Sequence, residues 1–166
     1  MTYGSGGALF RALADARVRC LVAGGLAVNA HGYLRFTRDV DLVIQLTTPN
    51  ILAAFAALDG IGYRPLVPLR AEDFADANMR GGWIRDKGMT VLNFWSDRHP
   101  QTPIDVFVTE PFAFDEEYER ALVKPLDSID VRFVTVPTLI RMKEVAGRPQ
   151  DRIDIDYLRK LSDADR

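Results

Sequence analysis

The tightest restriction on this chain's fold comes from two aspartates set one residue apart, Asp39 and Asp41, at the head of the run Val40, Leu42, Val43, Ile44. The run is apolar and rich in β-branched residues, so it reads as a buried strand. Residues two apart on a strand point to the same side, which aims both carboxylates at one common point. Like charges that close raise each other's pKa and resist joint ionisation unless a cation stands between them. Hard oxygen donors on a strand, with room left for water and phosphate oxygens, suit magnesium better than zinc, which favours nitrogen and sulfur ligands in closed sites. A third acid lies further on. Asp105 sits inside a second apolar run, Pro103 to Val108, where an unpaired charge is otherwise hard to account for. If the two strands are neighbours, three carboxylates converge.

Just upstream, Leu21 to Ala23 reads as the end of a short buried strand, Gly24-Gly25 as a tight turn, and Leu26 to His31 as a helix opening from that turn. Backbone N–H groups at such a helix start favour phosphate. The glycine pair on its own is also consistent with a plain turn, and a lone Asp-x-Asp with ordinary surface chemistry. Taken together and in this order, strand, glycine turn, helix, paired acids and a later strand acid point to metal-assisted phosphate chemistry.

In these residues the chain resembles the nucleotidyltransferase superfamily, whose best-known member is DNA polymerase beta. The family pattern is an apolar strand, Gly-Gly or Gly-Ser at a helix start, Asp-x-Asp on the next strand and a third acid on a later one; Gly24, Gly25, Asp39, Asp41 and Asp105 fill those positions. The wording Gly-Gly-Leu-Ala-Val-Asn-Ala-His-Gly and Arg-x-Thr-x-Asp-Val-Asp-Leu is most similar to small bacterial enzymes related to abortive-infection and toxin–antitoxin nucleotidyltransferases, as is the tail from Leu139 to Asp154. The resemblance implies an α/β (α+β) fold with a mixed sheet flanked by helices. It implies transfer of a nucleoside monophosphate from a nucleoside triphosphate such as ATP to a hydroxyl acceptor, tRNA or protein, with release of pyrophosphate. It also implies two Mg2+ ions, or Mn2+ in their place, held by Asp39, Asp41 and Asp105, which are the catalytic residues. Gly24, Gly25, Arg35, Thr37 and Lys143 would bind the nucleotide, and a cognate antitoxin would be a partner. One departure stands out: the polymerase-like pattern often has serine after the first glycine, and here Gly25 offers only its backbone. Two rivals share the motif, an aminoglycoside-type antibiotic nucleotidyltransferase and a non-catalytic nucleotide-binding or toxin–antitoxin interaction module. The first usually carries a further helical region for the drug, for which this chain leaves little room.

The 166 residues, 48% of them hydrophobic, suffice for one domain over 1–166, with C-terminal helices across 138–162 packed on it. A net charge of -2 gives no global basic footprint of the kind that nonspecific nucleic-acid binding needs. The single Cys20 cannot form an internal disulfide. With no signal peptide and no apolar run long enough for a membrane, the expected setting is the reducing cytoplasm.

The remaining pattern predicts an amphipathic helix over 8–18, a helix after Thr47 that runs to Gly60, and a short or edge strand within 63–69, where two prolines fall. It further predicts a polar helical insert over 71–79, a flexible passage from Gly81 to Met89, and strands over 90–95, 104–108 and 131–136. A short helix is expected around 116–121 and two more over 138–146 and 151–161. His31 reads as a cap or packing residue, His99 as a solvated loop residue, and Trp83 as a loop aromatic with stacking on a base as the sharper option. Arg35 and Arg38 read either as counter-charge to the acids or as triphosphate contacts, and Asp151 and Asp154 as dipole-complementing acids that can pair with Arg148.

Overall fold

The computed structural model describes residues 3–164. Its strands are β1 (Cys20–Ala23), β2 (Val40–Ile44), β3 (Arg64–Pro65), β4 (Val91–Trp95), β5 (Ile104–Phe107), β6 (Leu122–Leu126) and β7 (Ile129–Phe133). The helices are α1 (Tyr3–Asp15), α2 (Gly24–Ala30), α3 (Thr48–Gly60), α4 (Ala71–Ala75), α5 (Ala77–Lys87), α6 (Phe114–Arg120), α7 (Val136–Ala146) and α8 (Pro149–Ala164). All strands join one mixed sheet of order β3-β4-β5-β2-β1-β7-β6, so the acid-bearing strand lies at its centre. There it runs antiparallel to β1 and parallel to β5.

Alternation along β2 sorts its side chains between two layers. Val40, Leu42 and Ile44 join Ile104, Val106, Leu92 and Phe94 in a core closed by Leu9, Phe10 and Leu13 of α1, Ile51, Ala54 and Leu58 of α3, and Phe74 of α4. Val43 points the other way, into a smaller core with Leu21, Ala23, Ala27 and Val28, sealed by Phe114 of α6, Leu139 of α7 and Leu158 of α8. Asp41 shares the side of Val43 by the period of two. It therefore faces the smaller core and its helices α2, α7 and α8.

Local chemistry explains where the helices begin and end. The Thr47 side chain caps α3 by accepting from the Asn50 N–H, and Thr135 caps α7 by accepting from Thr138, each with a proline in the first turn. Gly147, at φ 65°, closes α7 in the left-handed conformation that glycine adopts without steric cost, and α8 follows within two residues. Among the described residues no helix is long and apolar enough to cross a membrane.

Several elements differ from the pattern reading. The stretch around Gly81-Gly82 is helical, not a flexible passage. Asp76 caps α5 by accepting from Asn78 and Met79, and Gly88 at φ 60° stops it. Trp83 consequently packs beside the larger core near Phe74. The strand within 63–69 is short and at the sheet edge as expected, two residues long, because Pro65 and Pro68 lack the N–H a ladder needs. Strand β6 was not expected, since its sequence Leu-Val-Lys-Pro-Leu carries a proline; as the outer strand of a hairpin it tolerates one. The last strand ends at Phe133, and Val136 already belongs to α7. His99 is not simply solvated, for its ring stacks on Tyr63 at 5.6 Å between centroids.

Tyr63 is 1% exposed, and its hydroxyl donates to the Thr102 carbonyl at 2.7 Å, tying the end of α3 to the loop that feeds β5. Tyr63→Phe leaves that buried carbonyl unpaired. Urea denaturation should show a loss of about 1–2 kcal/mol with an unchanged m-value.

Candidate active site

The parallel pairing of β2 with β5 sets Asp41 in register with Asp105. On the outer sides, Ala23 of β1 lies opposite Asp41 and Asn93 of β4 opposite Asp105. The row Ala23, Asp41, Asp105, Asn93 therefore crosses four strands on one face, with neighbouring strands about 4.8 Å apart. Ala23, buried in the smaller core, contributes only a methyl group. Asn93 Nδ2 donates to Asp105 Oδ1 and holds that carboxylate in place. Asp39, exposed and just before β2, lies near enough for its charge to act on both carboxyls.

Electrostatics mark the pair. Burial, and then the charges of Asp105 and Asp39, push the Asp41 carboxyl up from its ordinary 3.8 to about 6, against a downward pull from Lys143 and Arg148. Asp105 is also raised, first by burial and further by Asp39, with the Asn93 hydrogen bond and Arg148 opposing. Carboxylates crowded in this way favour a cation. Among the described residues no three His, Cys, Asp or Glu side chains form a ready-made cage for a metal ion. The open, all-oxygen donor set nonetheless fits Mg2+, which characteristically takes one or two carboxylates and completes its shell with water and substrate phosphates. Asp41 and Asp105 would hold it, with Asp39 alongside.

The glycine pair explains itself through the same residues. Gly24 has φ 63°, and a Cβ there would lie 1.9 Å from Asp41 Oδ2, so both backbone and space require glycine. Gly25 is buried, and a Cβ on it would meet Thr37 Oγ1 at 2.4 Å and Arg35 Nη2 at 3.2 Å. A serine at position 25 therefore has no room. The Thr37 hydroxyl occupies the place its side chain would enter.

Arg35 and Lys143 meet at one buried carboxylate. Arg35 donates from Nε and Nη2 to the two oxygens of Asp154 at 2.9 and 2.8 Å, and Lys143 Nζ lies 2.8 Å from Asp154 Oδ2 and 3.2 Å from Asp151 Oδ1. Asp154 is 0% and Lys143 5% exposed. Burial pushes the Asp154 carboxyl up, but hydrogen bonds from Arg35, Lys143 and Gln150 outweigh it and hold the group below its ordinary range. Asp154 is thus far more than a dipole-complementing surface acid. The sequence reading placed neither Asp154, Asp151, Asn93 nor Arg148 at the site, although the i, i+3 spacing of the two acids on α8 was visible.

No protein-family model and no curated protein sequence matches the chain. Solved structures do. A lincosamide antibiotic adenylyltransferase, LnuA, bound to lincomycin, aligns with a TM-score of 0.58 at 11% identity, over 90% of this chain and 90% of that one. ANT(2")-Ia in complex with adenylyl-2"-tobramycin aligns with a TM-score of 0.57 at 13% identity, over 94% and 86%. An antigenic nucleotidyltransferase-like protein from Paracoccidioides brasiliensis aligns at 0.54 and 17% identity, over 92% and 71%. The chain has the nucleotidyltransferase fold.

Two aspartates of this nucleotidyltransferase fold should respond oppositely to neutralisation. Asp154→Ala strands a buried lysine and arginine and should cost about 3–5 kcal/mol in chemical denaturation. Asp41→Asn should stabilise the metal-free protein. Its folded pKa lies above the unfolded value, so the folded state holds the proton more tightly, and ionisation costs the fold nothing below pH about 4 and its full amount above about 6. The gap between 3.8 and about 6 corresponds to about 3 kcal/mol at most. Melts of the Asn variant should therefore exceed wild type at pH about 7 and converge with it near pH about 4.

Proposed function

We propose that the protein is a Mg-dependent nucleotidyltransferase that moves a nucleoside monophosphate from a nucleoside triphosphate to a hydroxyl acceptor. The supporting observation is the pair Asp41 and Asp105, abreast at the centre of the sheet with Asp39 beside them and Gly24 packed against Asp41. Asp39, Asp41 and Asp105 would hold Mg2+, which supplies charge neutralisation at the α-phosphate and at the departing pyrophosphate. The acceptor oxygen bonds to the α-phosphorus, the bond from that phosphorus to the α,β-bridging oxygen breaks, and pyrophosphate leaves. Asp105 is the group suited to take the acceptor's proton, because burial raises its affinity for one and Asn93 fixes its direction. The Gly24-Gly25 turn and the Thr37 hydroxyl offer polar groups to the phosphates beside the acids.

Two acceptor classes compete. Local wording near the acids favours tRNA or protein, with a cognate antitoxin as partner. The antibiotic-bound neighbours, matched over most of their length, favour a small hydroxylated drug. A third reading, a nucleotide-binding module without activity, keeps the site but not the transfer.

One assay separates all three. The protein is incubated with Mg2+ and each α-labelled nucleoside triphosphate in the presence of tRNA, protein, a lincosamide or an aminoglycoside. Label is expected on one acceptor class with wild type and on none with Asp41→Asn, which remains folded. Nucleotide-induced thermal stabilisation without label selects the inactive module, and neither label nor stabilisation refutes the proposal.

A further inference from the structure

Five charged side chains join the last two helices to the segment before β2: Arg35, Lys143, Arg148, Asp151 and Asp154. Three are cations and two are anions, so the cluster carries one positive charge more than it cancels. The location of that surplus follows from the hydrogen bonds. Lys143, with a side chain 6% exposed, is spent on Asp151 and Asp154. Arg35, at 20%, gives Nε and Nη2 to Asp154 and Nη1 to the Phe36 carbonyl at 3.0 Å.

Arg148 differs from both. Its side chain is 75% exposed, yet its root is fixed. The backbone N–H donates to Asp151 Oδ2 at 3.0 Å, Nε to the same oxygen at 2.9 Å, and Nη2 to Oδ1 at 3.4 Å, while Nη1 has no hydrogen-bond partner among the described residues. Asp151, with a side chain 2% exposed, is itself anchored by Lys143. Gly147 in the left-handed conformation and Pro149 at the head of α8 restrict the backbone on either side. An exposed arginine is ordinarily a mobile, fully hydrated group. Here one edge of the guanidinium is clamped to a buried carboxylate and the other edge is open to solvent.

The cluster borders the acid site, because Arg35 Nη2 lies where a Cβ on Gly25 would meet it at 3.2 Å, one residue from the Gly24 that packs against Asp41. Asp151 is the main cause of Arg148's raised affinity for its proton, with Asp41 and Asp39 adding to it, and Arg148 in turn pulls down on Asp41 and Asp105. A triphosphate brought to three aspartates adds negative charge to a place already crowded with it, so a cation beyond the metal is required. A guanidinium supplies two parallel N–H donors that match phosphate oxygens in a way an ammonium does not. We propose that Arg148 is the residue that grips the triphosphate, that Asp151 and Lys143 are the positioning residues that aim it, and that Arg35 and Lys143 act as internal counter-ions without touching the nucleotide.

The inference rests on the nucleotidyltransferase reading, and calorimetric titration separates the two. Mg2+ with each nucleoside triphosphate, and Mg2+ with inorganic tripolyphosphate, are titrated into wild type, Arg148→Ala and Arg148→Lys, and each variant is melted without ligand. The expected result is a tenfold or greater weakening for Arg148→Ala with both probes, an intermediate loss for Arg148→Lys, and ligand-free melting within a few degrees of wild type. Wild-type affinity in Arg148→Ala overturns the inference and leaves the nucleotidyltransferase reading standing. Weakened binding with a ligand-free melt lowered by ten degrees or more also overturns it, because Arg148 is then structural. A wild-type protein that binds no triphosphate overturns the inference and the reading together.

Discussion

The Asp154 carboxylate is the fixed point of this molecule. It is sealed from water, yet it is ionised, because a guanidinium on the segment before β2, an ammonium from α7 and an amide on α8 all turn toward it. Isolated, such a charge would be prohibitively costly to bury. Surrounded, it makes the last two helices and a segment far upstream in the sequence agree on one geometry, and that geometry decides how the 33–39 segment enters β2 and so where Asp39 and Asp41 stand. Replacing the whole cluster with packed apolar residues could preserve stability, but it would not fix the same entry angle.

The site is built on a contrast between two fully buried acids and two half-buried ones. Asp154 and Asp151 have every oxygen met by a donor and are quiet. Asp41 and Asp105 lie next to each other with like charge and little compensation, so the fold tolerates them only because the helices and the core beneath supply the stability they remove. Unmet electrostatic demand beside an otherwise satisfied interior is a common mark of a functional site, and here it falls on the face of the sheet that carries the smaller core, against which α2, α7 and α8 pack.

Much of this was legible in the sequence for identifiable reasons. The Asp-x-Asp on a β-branched run, the glycine turn and Asp105 within a second apolar run are local patterns, and their meeting needed only that β2 and β5 be neighbours. Helices α3 and α7 were readable from Thr47 and Pro137, whose capping chemistry is self-contained. What escaped was set by tertiary contact. The glycines of α5 suggested flexibility, but the Asp76 cap and packing of Trp83 on the larger core override their low helix propensity. Arg35 and Lys143 were expected at the site, but their pairing with Asp154 was not legible, because Asp154 lies 119 residues from Arg35. Gly25 looked like a weakened phosphate contact, whereas the space it vacates is taken by Thr37.

The central register has a temporal consequence. Asp41 meets Asp105 through a parallel pairing that spans more than sixty residues, and the segment before β2 is tied through Arg35 to a helix at the far end of the chain. Contacts of such long range close late, since the entropy of a large loop must be overcome before any of them returns energy. As the chain emerges from a ribosome, Asp39 and Asp41 spend most of synthesis on a strand that has only β1 to pair with, beside a segment whose partner on α8 is still to be made. The geometry around the acids is thus completed with the last helix, and a chain cut short before α8 lacks the Asp154 that anchors the segment before β2.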